Sequence, residues 1–149
     1  MNKISRIIHF GVNNPSFFPL IRLLVFLVSS ARIEMPEKLG KNVVFPYSAM
    51  GVLLVRGITI GDDSVVGPKV SIVRKFPYKN VPKIGSRVWI SVNSTIVGPI
   101  SIGSNVIVAP NSLVISDVPD YSIVAGNPAK IIGDVRNLDY DIFSNEQYK

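Results

Sequence analysis

The sequence predicts an all-β chain wound as a β-helix, with a short helical segment at its amino terminus. Three observations carry that prediction. From Ile84 to Pro119 the residues fall into sixes, each led by an aliphatic: Ile84, Ile90, Ile96, Ile102, Val108 and Val114. The fifth place of each six is small or β-branched (Val88, Ser94, Ile100, Val106, Ser112, Val118), and the third and fourth places are mostly turn formers. The composition, 47% apolar and 17% charged over 149 residues, is ample for the core of one domain. A period of six matches neither the 3.6-residue helix nor an open-ended strand; it is the mark of stacked repeats, none of which can bury its apolar face alone. If three short strands make one coil, the chain lies above itself every eighteen residues, and Ile84 stacks under Ile102.

Taken in order, residues 1–32 form an amino-terminal apolar segment. Lys3 and Arg6 precede a loop-like Gly-Val-Asn-Asn-Pro at 11–15, and residues 17–28 are the most apolar run of the chain. That run is too short for a bilayer, which needs about 20 apolar residues. It reads first as a helix packed on the β-helix or on neighbouring subunits. Peripheral attachment to the inner face of a membrane is a second reading, favoured by the positive charge. A cleaved signal peptide is a third, opposed by Arg22 within the run and Pro19 near its start.

Residues 33–132 hold the β-helix domain, of four to five coils. The first hexad is Leu39 to Val44; the pattern breaks through residues 45–54 and resumes at Ile60, Val66 and Ile72. Residues 74–83 have no inward rhythm and carry Arg74, Lys75, Lys79 and Lys83, which predicts a loop protruding from a corner. Ile131-Ile132-Gly133 is expected to close the last coil. The tail over 133–149 is polar with a few aromatics and is expected to add a short helix or to fray.

The composition also excludes. With no cysteine there is no disulfide framework and no thiolate chemistry, and a single histidine, His9, rules out a histidine-rich metal site in one chain. The net charge of +6 favours an anionic partner. Nucleic acid is not expected, because the basic residues are scattered and no groove-reading or base-stacking motif is visible.

The hexads, followed by Asp117 to Lys130 with the ending Ala125-Gly126-Asn127-Pro128-Ala129-Lys130, resemble the carboxy-terminal part of hexapeptide-repeat acyltransferases, among them serine acetyltransferase-like enzymes and sugar or polysaccharide O-acetyltransferases. The resemblance covers roughly residues 33 to 132. It implies a left-handed parallel β-helix, a homotrimer with active sites between neighbouring chains, acetyl-coenzyme A as co-substrate, and no metal. Where the family carries a histidine base, this chain has Tyr47 or Ser48, and His9 lies upstream of every repeat. A phenol is a weak base near neutral pH and a serine hydroxyl cannot act as a base alone.

By the same resemblance the donor's pantetheine arm would run past Ser91, Val92 and Pro110. Its phosphate-bearing end would meet Gly126, Asn127, Pro128, Ala129 and Lys130. The loop with Arg74, Lys75, Tyr78 and Lys79 would form a lip over a substrate site. The expected function is O-acetyl transfer to a sugar or polysaccharide-precursor hydroxyl, or to serine. The sugar class is preferred because no long amino-terminal helical domain precedes the repeats. The alternative is a catalytically silent trimer serving as a binding or assembly scaffold. The expected location is the cytoplasm, with peripheral contact to the inner membrane face through residues 17–28.

Overall fold

A computed structural model describes residues 1–144. The repeats form three parallel sheets, the three faces of a prism. Face one stacks β1 (Arg32–Ile33), β3 (Leu53–Leu54), β6 (Ser71–Val73), β9 (Thr95–Val97) and β12 (Leu113–Val114). Face two stacks β2 (Lys38–Leu39), β4 (Thr59–Ile60), β7 (Lys83–Ile84) and β10 (Ser101–Ile102). Face three stacks β5 (Val65–Val66), β8 (Val88–Ile90), β11 (Val106–Val108) and β13 (Ser122–Gly126). This is a parallel β-helix.

The hexad arithmetic sets the register. Ile84 pairs with Ile102, Ile90 with Val108 and Ile96 with Val114. All six hexad leaders and all six fifth-place residues are buried. Each buried aliphatic contributes roughly 1.5–3 kcal/mol of hydrophobic stabilisation, realised only because the coils above and below complete the enclosure. The serines that take fifth places are satisfied within the wall: the hydroxyls of Ser94 and Ser112 both donate to the carbonyl of Ala109, at 2.9 and 2.7 Å.

Two insertions lengthen the eighteen-residue spacing, and the last coil falls two residues short of it, Ile107 pairing with Ile123 and Ile102 bridging to Val118. Lys38 and Leu39 pair with Thr59 and Ile60, three places more than one coil. Ile60 pairs with Ile84, six places more than one coil. The first insertion is a tight turn at Pro46–Ala49, and the second is the loop between β6 and β7. The stack absorbs both at corners, so the inward columns stay aligned.

Close coil spacing also dictates residue type. A Cβ on Gly61 would lie 2.5 Å from the Gly85 backbone, and one on Gly85 would lie 2.6 Å from the Gly103 carbonyl oxygen. Glycine after the hexad leader is therefore a steric requirement at this corner.

The chain is not strictly all-β, because its first thirty residues are helical. Helix α1 (Lys3–Asn13) is capped by Asn2, whose Oδ1 accepts the Ser5 N–H at 2.8 Å. After a short 3-10 turn, α2 (Phe18–Ser29) follows, with Pro19 in its first turn, and ends at Ser30 in the left-handed region (φ 55°). Gly11 lets the two helices close on each other: a Cβ there would sit 3.1 Å from Ile21. Helix α2 packs against β1 and the 46–49 turn. The expectation that its apolar run is buried holds for one stripe only, Phe18, Ile21, Val25 and Ser29.

The far end also differs from expectation. Residues 131–133 do not close a further coil: β14 (Ala129–Asp134) turns back antiparallel on β13, with Ala125 opposite Lys130 and Gly126 opposite Ala129. Gly126, at φ 104°, supplies the backbone conformation for that reversal. The hairpin covers the last strand of face three, as an open solenoid end requires. Beyond it lie two 3-10 turns, Val135–Asn137 and Ile142–Ser144; the rest of the predicted tail, 145–149, lies outside the described residues.

Candidate active site

The corner joining face three to face one carries most of the residues singled out in the sequence. In successive coils the strands of face three reach this corner at Val66, Ile90, Val108 and Val124, β13 running on to Gly126. The residues that follow stack as Gly67-Pro68, Ser91-Val92, Ala109-Pro110 and Ala125-Gly126. One coil lower, Val44 bridges to Val65, so Pro46 and Tyr47 open the same corner. Tyr47, Val92, Pro110 and Gly126 thus lie along one edge. Four strand spacings of about 4.8 Å make that edge roughly 19 Å long.

At its lower end is a groove of about 450 Å3, predominantly apolar, with Tyr47, Met50 and Pro68 on one side and Trp89, Ser91 and Val92 on the other. Tyr47 is 70% exposed and Val92 is exposed, whereas Ile90 in the floor is buried. The backbone at the groove is already engaged: the Ser91 N–H donates to Val108 O at 3.0 Å, and Val92 O accepts from Asn111 N–H at 3.1 Å. Side chains and exposed faces therefore do the contacting. Asn93 and Asn111, both in the left-handed region, hold this corner with a side-chain hydrogen bond of 2.7 Å.

Tyr47, Ser48 and Ala49 are consecutively left-handed, with φ of 50, 58 and 59°. Such a backbone costs a non-glycine residue roughly 1–2 kcal/mol per position, and it persists only where surrounding contacts fix it. The anchors are the buried Pro46 and Ala49, and the Gly51 N–H donating to Ser29 O at 2.9 Å. The strained turn presents the Tyr47 phenol at the groove wall.

His9 has a different task. Its Nε2–H donates to Val43 O at 3.1 Å, which ties α1 to the first full coil.

The loop residues Arg74, Lys75, Tyr78 and Lys79 lie at another corner, the one joining face one to face two, and the chain does not bring them to the Tyr47 groove. All four are exposed, and Phe76 beside them is 91% exposed. Lys79 instead borders a second, polar groove of about 500 Å3 with Arg56, Lys83, Glu37, Asn80 and Ser101. Lys130 and residues 126–129 form the terminal hairpin at the top of the first edge, Lys130 exposed. Among the described residues no cluster of three or more histidine, cysteine or carboxylate side chains could hold a metal ion.

Sequence reading did not single out Trp89, Met50 or Arg56, and it placed Lys83 only in the basic loop. Trp89 occupies a sixth place, between two buried neighbours; that outward position was the available signal.

Prism, repeats and corner groove together define a hexapeptide-repeat β-helix protein. Residues 82–116 match the bacterial transferase hexapeptide (six repeats) family. The chain is 37% identical over 115 residues to a serine acetyltransferase of Staphylococcus epidermidis, covering 76% of this chain and 54% of that one. It is 36% identical over 115 residues to serine acetyltransferase 4 of Arabidopsis thaliana, covering 72% and 30%. Among solved structures, soybean serine acetyltransferase apoenzyme superposes with a TM-score of 0.72 at 28% identity, over 87% of this chain and 55% of that one. A Brucella abortus serine acetyltransferase solved with coenzyme A gives 0.77 at 23% identity, over 89% and 54%, a likeness of fold. The chain thus carries the hexapeptide repeats of the bacterial transferase family over residues 82–116 and is similar to serine acetyltransferases, and it spans about half the length of the bacterial relative and under a third of the plant one.

Proposed function

We propose that the protein is an acetyl-coenzyme A-dependent O-acetyltransferase, wound left-handed, that works in the cytoplasm as a homotrimer and acetylates a hydroxyl of a sugar or polysaccharide precursor. The observation that carries this reading is the single edge running from Tyr47 past Val92 and Pro110 to the hairpin at 126–130. An extended donor laid along it has its thioester end at the Tyr47 groove and its phosphates beside Lys130, a mobile point charge suited to them. Coenzyme A in the related Brucella structure supports that choice of donor.

The reaction joins an acceptor hydroxyl oxygen to the thioester carbonyl carbon, breaks the carbon–sulfur bond and delivers the hydroxyl proton to the leaving thiolate. Holding the two reactants in line supplies much of the rate. The Tyr47 phenol oxygen accepts a hydrogen bond from the acceptor hydroxyl and orients it toward the thioester carbonyl. Trp89 and Met50 give the groove an apolar wall against which the carbon face of a sugar ring packs. The trimer supplies the rest: the loop of one chain reaches a corner of its neighbour, so that Lys79, Arg56 and Lys83 add positive charge beside the groove.

A scaffold without catalysis is the second reading, favoured by the strained turn carrying Tyr47 and Ser48 and by the commitment of His9 to Val43. Titration calorimetry with coenzyme A separates the two. Binding, followed by acetyl transfer to a saccharide that Tyr47→Phe abolishes, supports the enzyme. No heat at millimolar coenzyme A supports the scaffold. Transfer to serine in preference to every saccharide tried would replace the acceptor class.

A further inference from the structure

We propose that the α1–α2 hairpin docks the protein on the surface of an anionic lipid bilayer. The inference is independent of the acetyl-transfer reading. Helix α2 turns one stripe inward and leaves the rest of its circumference apolar and exposed: Leu20, Leu23, Leu24, Phe26, Leu27 and Val28, the last two at 69% each. Phe17 extends the patch onto α1 through Phe10, with ring centroids 6.2 Å apart, and Ile7 continues it. A contiguous apolar face of this extent marks an interaction surface.

Charge decides the occupant. Residues 1–33 contain Lys3, Arg6, Arg22 and Arg32 and no acidic residue. The one charge on α2, Arg22, is matched by Glu34 at 2.8 Å. Arg32 borders the same cleft as Leu23 and Phe26, and Lys3 and Arg6 are exposed on α1, so free positive charge rims the apolar face. A second copy brought face to face would set this unbalanced charge against itself, whereas anionic headgroups complement it. Geometry fixes the mode. Twelve residues of helix span about 18 Å, well short of a hydrocarbon core of about 30 Å. No single helix among the described residues is long and apolar enough to cross, and the two helices meet at a bend of 116°. The hairpin lies in the interface, with its leucines in the acyl boundary and its basic side chains among the headgroups.

The test is co-sedimentation of the full chain with vesicles of phosphatidylcholine alone and of phosphatidylcholine mixed with phosphatidylglycerol. Binding to the mixed vesicles that weakens at high salt is expected. Leu24→Glu with Leu27→Glu should lower partitioning by at least about tenfold. Lys3→Ala with Arg6→Ala should lower it by about 25-fold, about fivefold for each charge. All four positions are exposed, and a circular-dichroism melt equal to the parent's shows that the fold is kept. Absence of binding to both vesicle types overturns the proposal, as does binding that neither variant weakens. Assembly into larger species that Leu24→Glu with Leu27→Glu dissolves, without vesicle uptake, assigns the face to a second copy instead. A coenzyme A titration on the same preparation reads the transferase proposal separately.

Discussion

The Phe45 N–H donates to Ser5 Oγ at 2.9 Å, a buried bond between residues forty places apart, while the Ser5 hydroxyl donates to Asn2 Oδ1 at 2.8 Å. The Asn2 side-chain amide completes the circuit with Phe45 O at 2.7 Å. The amino-terminal helices are thus locked to the first coil by a polar circuit whose Ser5–Phe45 bond is buried. Ser5→Ala leaves the Phe45 amide buried and unpaired, and should cost about 1–3 kcal/mol in a denaturant unfolding curve. A loss below about 0.5 kcal/mol would show that α1 is held by apolar packing alone.

At the corner between faces two and three the limiting quantity is space. A methyl group at Gly85 meets the Gly103 carbonyl oxygen and carbon at 2.6 and 2.7 Å, both backbone atoms that cannot step aside. Gly85→Ala should therefore destabilise the stack by about 1–3 kcal/mol, as overpacking does elsewhere. Gly133→Ala is the control, since its nearest neighbour would be a side-chain carbon of Ile123 at 3.4 Å, an ordinary contact. Equal melting temperatures for the two variants would contradict the steric account.

How far the repeats could be read depended on what interrupts them. From Ile84 to Val114 the period is unbroken, and the pairing of Ile84 with Ile102 follows from counting, whereas the sixteen-residue step from Ile107 to Ile123 does not. Lower in the stack, the partner of Ile84 is Ile60, and only knowledge that six extra residues leave at a corner identifies it. Ser91, Val92, Pro110 and Gly126 were singled out by the family resemblance, and they align because each lies where a face-three strand reaches the same corner. Met50 joins them through the 46–49 turn, whose three left-handed residues no composition rule foretells. The partner of His9 was illegible for a similar reason, since a contact thirty-four residues away depends on how α1 docks. Ile131 and Ile132 looked like core because they are apolar; in the hairpin both are exposed.

Near the far end, Asp134 carries a pH signature. Arg136 donates to the Asp134 carboxylate from Nη2 at 2.6 Å and from Nε at 3.0 Å, and its backbone N–H adds a bond of 2.9 Å. These side-chain and backbone hydrogen bonds hold the carboxyl at about 2, below its ordinary 3.8. Because the folded value is the lower one, the pair's contribution is complete above about pH 4 and is lost as the pH falls from there through about 2. A carboxyl-carbon NMR titration should find the midpoint near 2, and Arg136→Ala should return it toward the ordinary range. The pair is exposed, so global stability should change little on its loss.

The last prediction concerns the groove wall. If the donor lies along the corner edge as proposed, none of the described residues lining the groove is able to take the acceptor hydroxyl's proton at neutral pH. A positioned base is worth about 10²–10⁴ in rate. Histidine is among the non-glycine residues that adopt the left-handed region most readily, so the φ of 50° at position 47 accommodates it. Tyr47→His should then raise acetyl transfer by about a hundredfold or more, leave coenzyme A affinity within about twofold, and bring a pH-rate profile rising through the imidazole range near 6.5. A rate unchanged by this substitution, with the donor still bound, would place the reacting atoms elsewhere on the edge and remove position 47 from the chemistry.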